Sequence, residues 1–217
     1  MNIYCYRRFF SPQRLGSCLL ALVLLNAGEF ALSQTTAPAV RAIPQPLNTP
    51  YLGALAVEVE LTDLDRKIMQ VRQVIPVAAG PLTLLYPQWL PGTHSPRGRV
   101  ARLSGLQITA DGKPLAWTRD PVDVFAFHLT VPPGVASLNV VFQHLSPVTT
   151  GGDRMVMTPE IIGLQWNTVV LYPAGHYASA ITVKASAKLP TDWKTASAPA
   201  WTGPTGSAVK TITTKVC

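Results

Sequence analysis

The sequence predicts an all-β fold, an antiparallel β-sandwich of about eight to ten short strands, on three observations. Apolar residues alternate with polar ones at period two in several segments, the mark of a strand with one buried and one wet face. Turns bearing Gly or Pro separate these segments at spacings of about ten residues. No apolar i, i+3, i+4, i+7 pattern persists for three turns, and 20 prolines spread along 217 residues oppose long helices.

The elements follow in order. Val57, Val59 and Leu61 alternate with Glu58 and Glu60, which predicts a first strand. Thr62 to Lys67 (TDLDRK) holds four charges and reads as a turn into a second strand, Ile68 to Val77, where Gln70 and Arg72 separate Met69, Val71 and Val74. Leu82 to Tyr86 is a short apolar strand that ends in a Pro-bounded turn, Pro87 to Gly92. Leu106 and Ile108 lead into Asp111-Gly112, a strong hairpin turn, and the chain leaves through Leu115 and Trp117. Val124 to Val131 sets Phe125, Phe127 and Leu129 against Ala126, His128 and Thr130. Pro132-Pro133-Gly134 breaks the chain before a strand over Leu138 to His144. Leu164 to Tyr172 and Ala180 to Ala187, rich in apolar and β-branched residues, predict two more.

Residues 1–33 read as a secretory signal peptide. Arg7, Arg8 and Arg14 precede the apolar run Leu15 to Leu25, and Ala31 and Ser33 stand at −3 and −1 of a cleavage site before Gln34. Eleven mostly apolar residues are too few for a stable span, which needs about twenty. Leu15-Gly16-Ser17-Cys18 faintly resembles a lipoprotein box, but its cysteine opens the apolar run instead of closing it, and Arg7-Arg8 alone is a weak twin-arginine signal. The expected location is periplasmic or secreted, with no stable membrane span after cleavage. Residues 34–50 (QTTAPAVRAIPQPLNTP) carry no apolar period and read as a Pro-rich linker, leaving 51–217 as one β-domain.

The whole chain carries a formal charge of +7. Losing the three basic and one acidic residues of 1–33 leaves fifteen Lys and Arg against ten Asp and Glu, or +5, scattered along the chain. That argues for solubility and against nucleic-acid binding. Cys5 and Cys18 leave with the signal, so Cys217 alone remains and no internal disulfide can staple the domain.

No complete set of catalytic residues stands out. His94, His128, His144 and His176 are isolated from one another, with no H-E-x-x-H and no cysteine pair for zinc, so no metal ligand is assigned. His128 reads as a polar-face or partly buried strand histidine. G-x-S-x-G is absent, and Ser207-Ala208-Val209-Lys210 fits S-x-x-K without its partner motifs. Asp120 with Asp123, and Asp63 with Asp65, lie in turn-like sequence where acids cap backbone N–H groups.

The most unusual stretch is Tyr86 to Arg102 (YPQWLPGTHSPRGRVAR), with three prolines and two glycines around a tryptophan. A preset, aromatic-bearing loop loses little entropy on docking, so Trp89, Pro91, Gly92, His94 and Arg97 are the candidate binding or interface residues. In the competing reading Trp89 plugs one end of the sandwich. Arg97, Arg99 and Arg102 are either a solvated loop or a match for a carboxylate or acidic partner.

Tyr86 to His94 resembles the W-x-P-G segment in the N-terminal domain of the glycyl aminopeptidase family, secreted zinc metallopeptidases that also carry a PDZ domain. The resemblance extends through Leu103 to Trp117, Arg119 to Phe127 and Leu164 to Gly175, most of residues 52–200. It implies a β-sandwich that precedes a thermolysin-like catalytic domain where H-E-x-x-H and a downstream Glu bind zinc. No position of this chain matches those ligands, so the expectation is a non-catalytic domain with no cofactor of its own. The zinc would belong to a catalytic domain missing from this chain, which reads as truncated before it, and a separately encoded peptidase domain is the implied partner. The alternative is a stand-alone exported module that binds a peptide or glycan through Trp89 and the arginine-bearing loop.

Overall fold

The computed structural model describes residues 41–90, 94–148, 154–196 and 209–216, all within one compact unit, Ala39–Cys217. The described residues form thirteen strands: β1 (Ala54–Glu60), β2 (Ile68–Pro76), β3 (Gly80–Leu85), β4 (Leu103–Ala110), β5 (Lys113–Pro114), β6 (Trp117–Arg119), β7 (Ala126–Val131), β8 (Ser137–Leu145), β9 (Val156–Met157), β10 (Ile162–Gly163), β11 (Tyr172–Pro173), β12 (Thr182–Lys188) and β13 (Val209–Lys215). Among the described residues only single 3₁₀ turns interrupt them, and the fold is all-β. A seven-stranded sheet runs β13-β12-β1-β2-β8-β4-β5 and a four-stranded sheet runs β11-β3-β7-β6, with β9 and β10 as a separate ribbon.

Period-two sequence becomes period-two burial. Leu55, Val57 and Val59 of β1 are buried, while Ala56 and Glu58 face water. Met69 and Val71 of β2, Val140 and Phe142 of β8, and Val183 and Ala185 of β12 continue that inner face, and Phe127, Leu129 and Leu84 meet it from the small sheet in one cluster. Burying that face is the main stabilising term, at roughly 25 cal/mol per Å² of apolar surface. On the outer face Glu60 bonds Lys188 Nζ at 3.0 Å, which lowers the Glu60 pKa, and lies 3.7 Å from Arg72.

Four readings change. Val74 is exposed, and the inward position beside it belongs to Gln73, because the alternation of β2 continues through Met69, Val71, Gln73 and Ile75. Leu164 to Tyr172 is not a strand. It forms a 3₁₀ turn, Trp166–Thr168, and then a buried run, Val169 to Leu171, before two-residue β11. The pairing is not wholly antiparallel, since β1 and β12 run parallel from Ala54↔Thr182 to Glu60↔Lys188. The Pro-rich 34–50 segment is also not free along its described part. Leu47 N–H donates to Gly175 O at 3.0 Å, and Thr49 O lies 3.3 Å from His176 Nδ1; just beyond the segment, Tyr51 packs edge-on against His176 and donates its hydroxyl to Pro76 O.

The Asp111-Gly112 turn is as read. Both residues have positive φ (47° and 75°), the geometry of a two-residue hairpin with a primed turn. The hairpin is short, however. Leu115 N–H still donates to Ile108 O at 2.8 Å, and the chain then leaves the large sheet and re-enters the small one as β6.

A candidate interaction surface at one end of the sandwich

Strand directions gather the long loops at one end. β3 ends at Leu85 opposite Ala126, the first residue of β7, and opposite Tyr172, the first of β11. In the large sheet the first residue of β4, Leu103, pairs with His144 near the end of β8, and Ile68 opens β2 opposite Leu145. Loops 86–102, 120–125 and 146–171 therefore leave the two sheets at the same end. Tyr86 ties them together. Its N–H donates to Phe125 O at 2.9 Å, its hydroxyl donates to Thr168 O at 2.8 Å, and its ring stacks on Phe125 with centroids 6.5 Å apart.

Within the Tyr86–Arg102 loop the chain doubles back. Trp89 bridges antiparallel to Pro96, and Gly98 N–H donates to Gln88 O at 2.9 Å. A Cβ on Gly98 would lie 2.1 Å from Pro87 O, so this closure requires glycine. The doubling brings Trp89 beside the arginine-bearing return. Arg97 is exposed and donates Nε–H to Ser95 Oγ at 2.8 Å, and His94 is exposed. Pro91 and Gly92 lie outside the described residues.

Trp89 is 60 % exposed, which overturns the reading of this side chain as a plug of the core. Its neighbour Leu90 is buried instead. Val122 (78 %) and Val124 (45 %) in the 120–125 loop are exposed too, as is Ile161 (58 %) in the β9–β10 turn. Sequence patterning missed Val122 and Ile161 because they lie in turns, where no period applies, and it placed Val124 in a strand that in the structure begins only at Ala126. Only apolar character within turn-like sequence marks the first two.

Beneath this end lies a buried polar relay. Asp120 Oδ2 is 2.8 Å from His128 Nε2, and His128 Nδ1 is 3.0 Å from Thr83 Oγ1, with all three residues buried. Asp120 Oδ1 also accepts Val122 N–H and Asp123 N–H, both at 2.8 Å. One neutral tautomer satisfies the network: Nε2–H donates to the carboxylate and Nδ1 accepts from the threonine hydroxyl. The bond from His128 and the two backbone donors hold the Asp120 carboxyl down at about 2. The turn-capping reading of Asp120 and Asp123 therefore holds, the latter accepting Phe125 N–H at 3.0 Å. His128 is more deeply buried than its strand pattern indicates. Its bond to Thr83 depends on the register Thr83↔His128, which no local sequence signal carries.

Among the described residues no three His, Cys, Asp or Glu side chains come together as a metal site. The arrangement can hold a rigid, partly apolar, arginine-edged surface on a braced end of a β-sandwich.

The family model for the peptidase M61 N-terminal domain matches residues 56–211, and the chain belongs to that family. None of the curated proteins matches the sequence. Among solved structures, an aminopeptidase N family protein from Idiomarina loihiensis is similar with a TM-score of 0.58 at 15% identity, over 73% of this chain and 26% of that one. An M1 zinc metallopeptidase from Deinococcus radiodurans aligns over 79% of this chain and 40% of its own, at 10% identity and a TM-score of 0.35. The first shares the fold. The chain spans about a quarter of that protein's length.

Proposed function

We propose that this chain is the exported, non-catalytic β-domain of a glycyl-aminopeptidase-like metallopeptidase, and that its loop-bearing end packs on a peptidase domain and shapes the substrate cleft there. The observation that carries this is the 60 % exposed Trp89 on a loop closed by Gly98, within a chain that belongs to the peptidase M61 N-terminal domain family. A fixed tryptophan held out in water is costly unless a partner covers it, and rigid aromatic anchors are the usual centres of such contacts. Zinc and the general base would come from the peptidase domain.

The test uses a family member's peptidase domain produced without its own β-domain. Adding this chain in trans is expected to restore hydrolysis of a glycyl substrate, and Trp89→Ala is expected to abolish the restoration. This chain alone is expected to hydrolyse nothing and to bind no stoichiometric zinc. Full restoration by the Trp89→Ala chain, or activity from the chain alone, would refute the reading.

A further inference from the structure

Pro81 and Thr83 of β3 pair with Thr130 and His128 of β7. At period two these four side chains point away from Leu84, Phe127 and Leu129, which face the core. Across this outer face of the small sheet runs the segment that leads into β1. It is tied down at Leu47, whose N–H donates to Gly175 O, and Pro44 lies against Gly175, where an added Cβ would sit 3.6 Å from the proline ring. Between this strap and the sheet lies a groove of about 380 Å³, a volume within the ordinary range of small-molecule sites. The strap contributes Arg41 and Pro44 to it, and the sheet contributes Pro81, Thr83, His128 and Thr130. No Asp or Glu is among its lining residues. The carboxylate beneath, Asp120, spends Oδ1 on two backbone N–H groups and Oδ2 on His128, and the other ring nitrogen of His128 is taken by Thr83. The groups left to meet a ligand are the Arg41 guanidinium and the Thr130 hydroxyl, both exposed and neither bonded to a described residue.

We propose that this groove binds a small organic acid, with its carboxylate on Arg41 and Thr130 and its apolar body along Pro44 and Pro81. A carboxylate presents two oxygens that match the guanidinium fork. An ammonium ligand would meet Arg41 and find no free acid to pair with. Inorganic phosphate has oxygens to satisfy on every side, whereas the two prolines have no N–H to donate and leave it half bare. The Asp120–His128–Thr83 relay is the fixed floor of the site: its hydrogen bonds hold two neighbouring strands and a turn in place, so the groove exists before the ligand arrives. The site lies wholly within the strap and the small sheet, so it stands apart from the packing role of the loop-bearing end.

The test is a titration of the full chain with sodium hexanoate, followed through the backbone amide NMR signals of Thr83, His128 and Thr130. These signals are expected to shift and saturate with hexanoate and to stay in place with hexylamine. Arg41→Gln should weaken hexanoate binding about tenfold, the loss of one charge-assisted hydrogen bond, and Thr130→Val should weaken it by a smaller factor. Lys113→Gln, an exposed site on β5 in the other sheet, should bind as wild type does. Hexanoate that moves none of the three signals, or that binds Arg41→Gln as tightly as wild type, would overturn the site. Equal shifts with inorganic phosphate would overturn the choice of an apolar-bodied carboxylate. Thermal melts of the variants separate loss of binding from loss of fold.

Discussion

Gln73 and Leu171 exchange two hydrogen bonds across the core. Gln73 Nε2 donates to Leu171 O at 3.2 Å, and Leu171 N–H donates to Gln73 Oε1 at 2.8 Å. A side-chain amide thus does for one residue what a neighbouring strand would do, and it lets the buried run Val169 to Leu171 pass beside the large sheet without pairing into it.

Replacing Gln73 with Ala strips both partners from a buried backbone unit. Each orphaned group costs about 1–3 kcal/mol, so Gln73→Ala should lose about 2–6 kcal/mol in urea unfolding. Val74→Ala, one residue along on the wet face, should stay within about 0.5 kcal/mol.

Trp89→Ala should change stability by less than about 1 kcal/mol, because its side chain is mostly in water. A core tryptophan would cost about 3–5 kcal/mol. The wild-type chain should also enhance the fluorescence of an anilinonaphthalene sulfonate dye, and the variant should do so less. A large drop in stability with unchanged dye binding would contradict the exposed anchor.

Gly98→Ala should misplace the loop. The added methyl meets Pro87 O at 2.1 Å and the Phe125 ring at 3.0 Å, so overpacking should cost about 1–3 kcal/mol. Faster proteolytic cleavage between Tyr86 and Arg102 would report the displaced loop, and an unchanged cleavage pattern would count against the close approach.

Asp120 sets an acid limit. Its carboxyl titrates at about 2 in the fold against an ordinary value of 3.8, so the folded state favours the anion. The resulting stability is complete above about pH 5 and is lost as pH falls from about 4 towards 2. Asp120→Asn should lower the melting temperature at neutral pH and flatten its decline below pH 4. A parallel decline in both proteins would show that other carboxylates set the limit.

The sandwich was legible wherever alternation was strict. Val57 to Leu61 reaches its faces as read, because a strand buried on one side must alternate, and Leu138 to His144 forms the strand expected of it. It failed at Leu164 to Tyr172, where the apolar run Val169 to Leu171 admits any buried conformation and Gln73, about a hundred residues earlier, supplies the bonds. The loop that bears Trp89 was legible from its prolines and glycines, but the exposure of Trp89 was not. Whether an aromatic turns in or out depends on what already fills the end of the barrel of side chains, and here Tyr86 and Leu90 fill it. The Asp120–His128–Thr83 relay depends on strand pairing and left only two separate polar residues to read.

The parallel pairing of β1 with β12 has a kinetic consequence. Glu60 and Lys188 are joined across 128 residues of sequence, so the inner edge of β1 stays open until most of the domain has been made. Closing so long a loop is slow, and an open strand edge is a template for association with other chains. Binding of the unfinished edge by a holdase during this interval would raise the yield of folded domain.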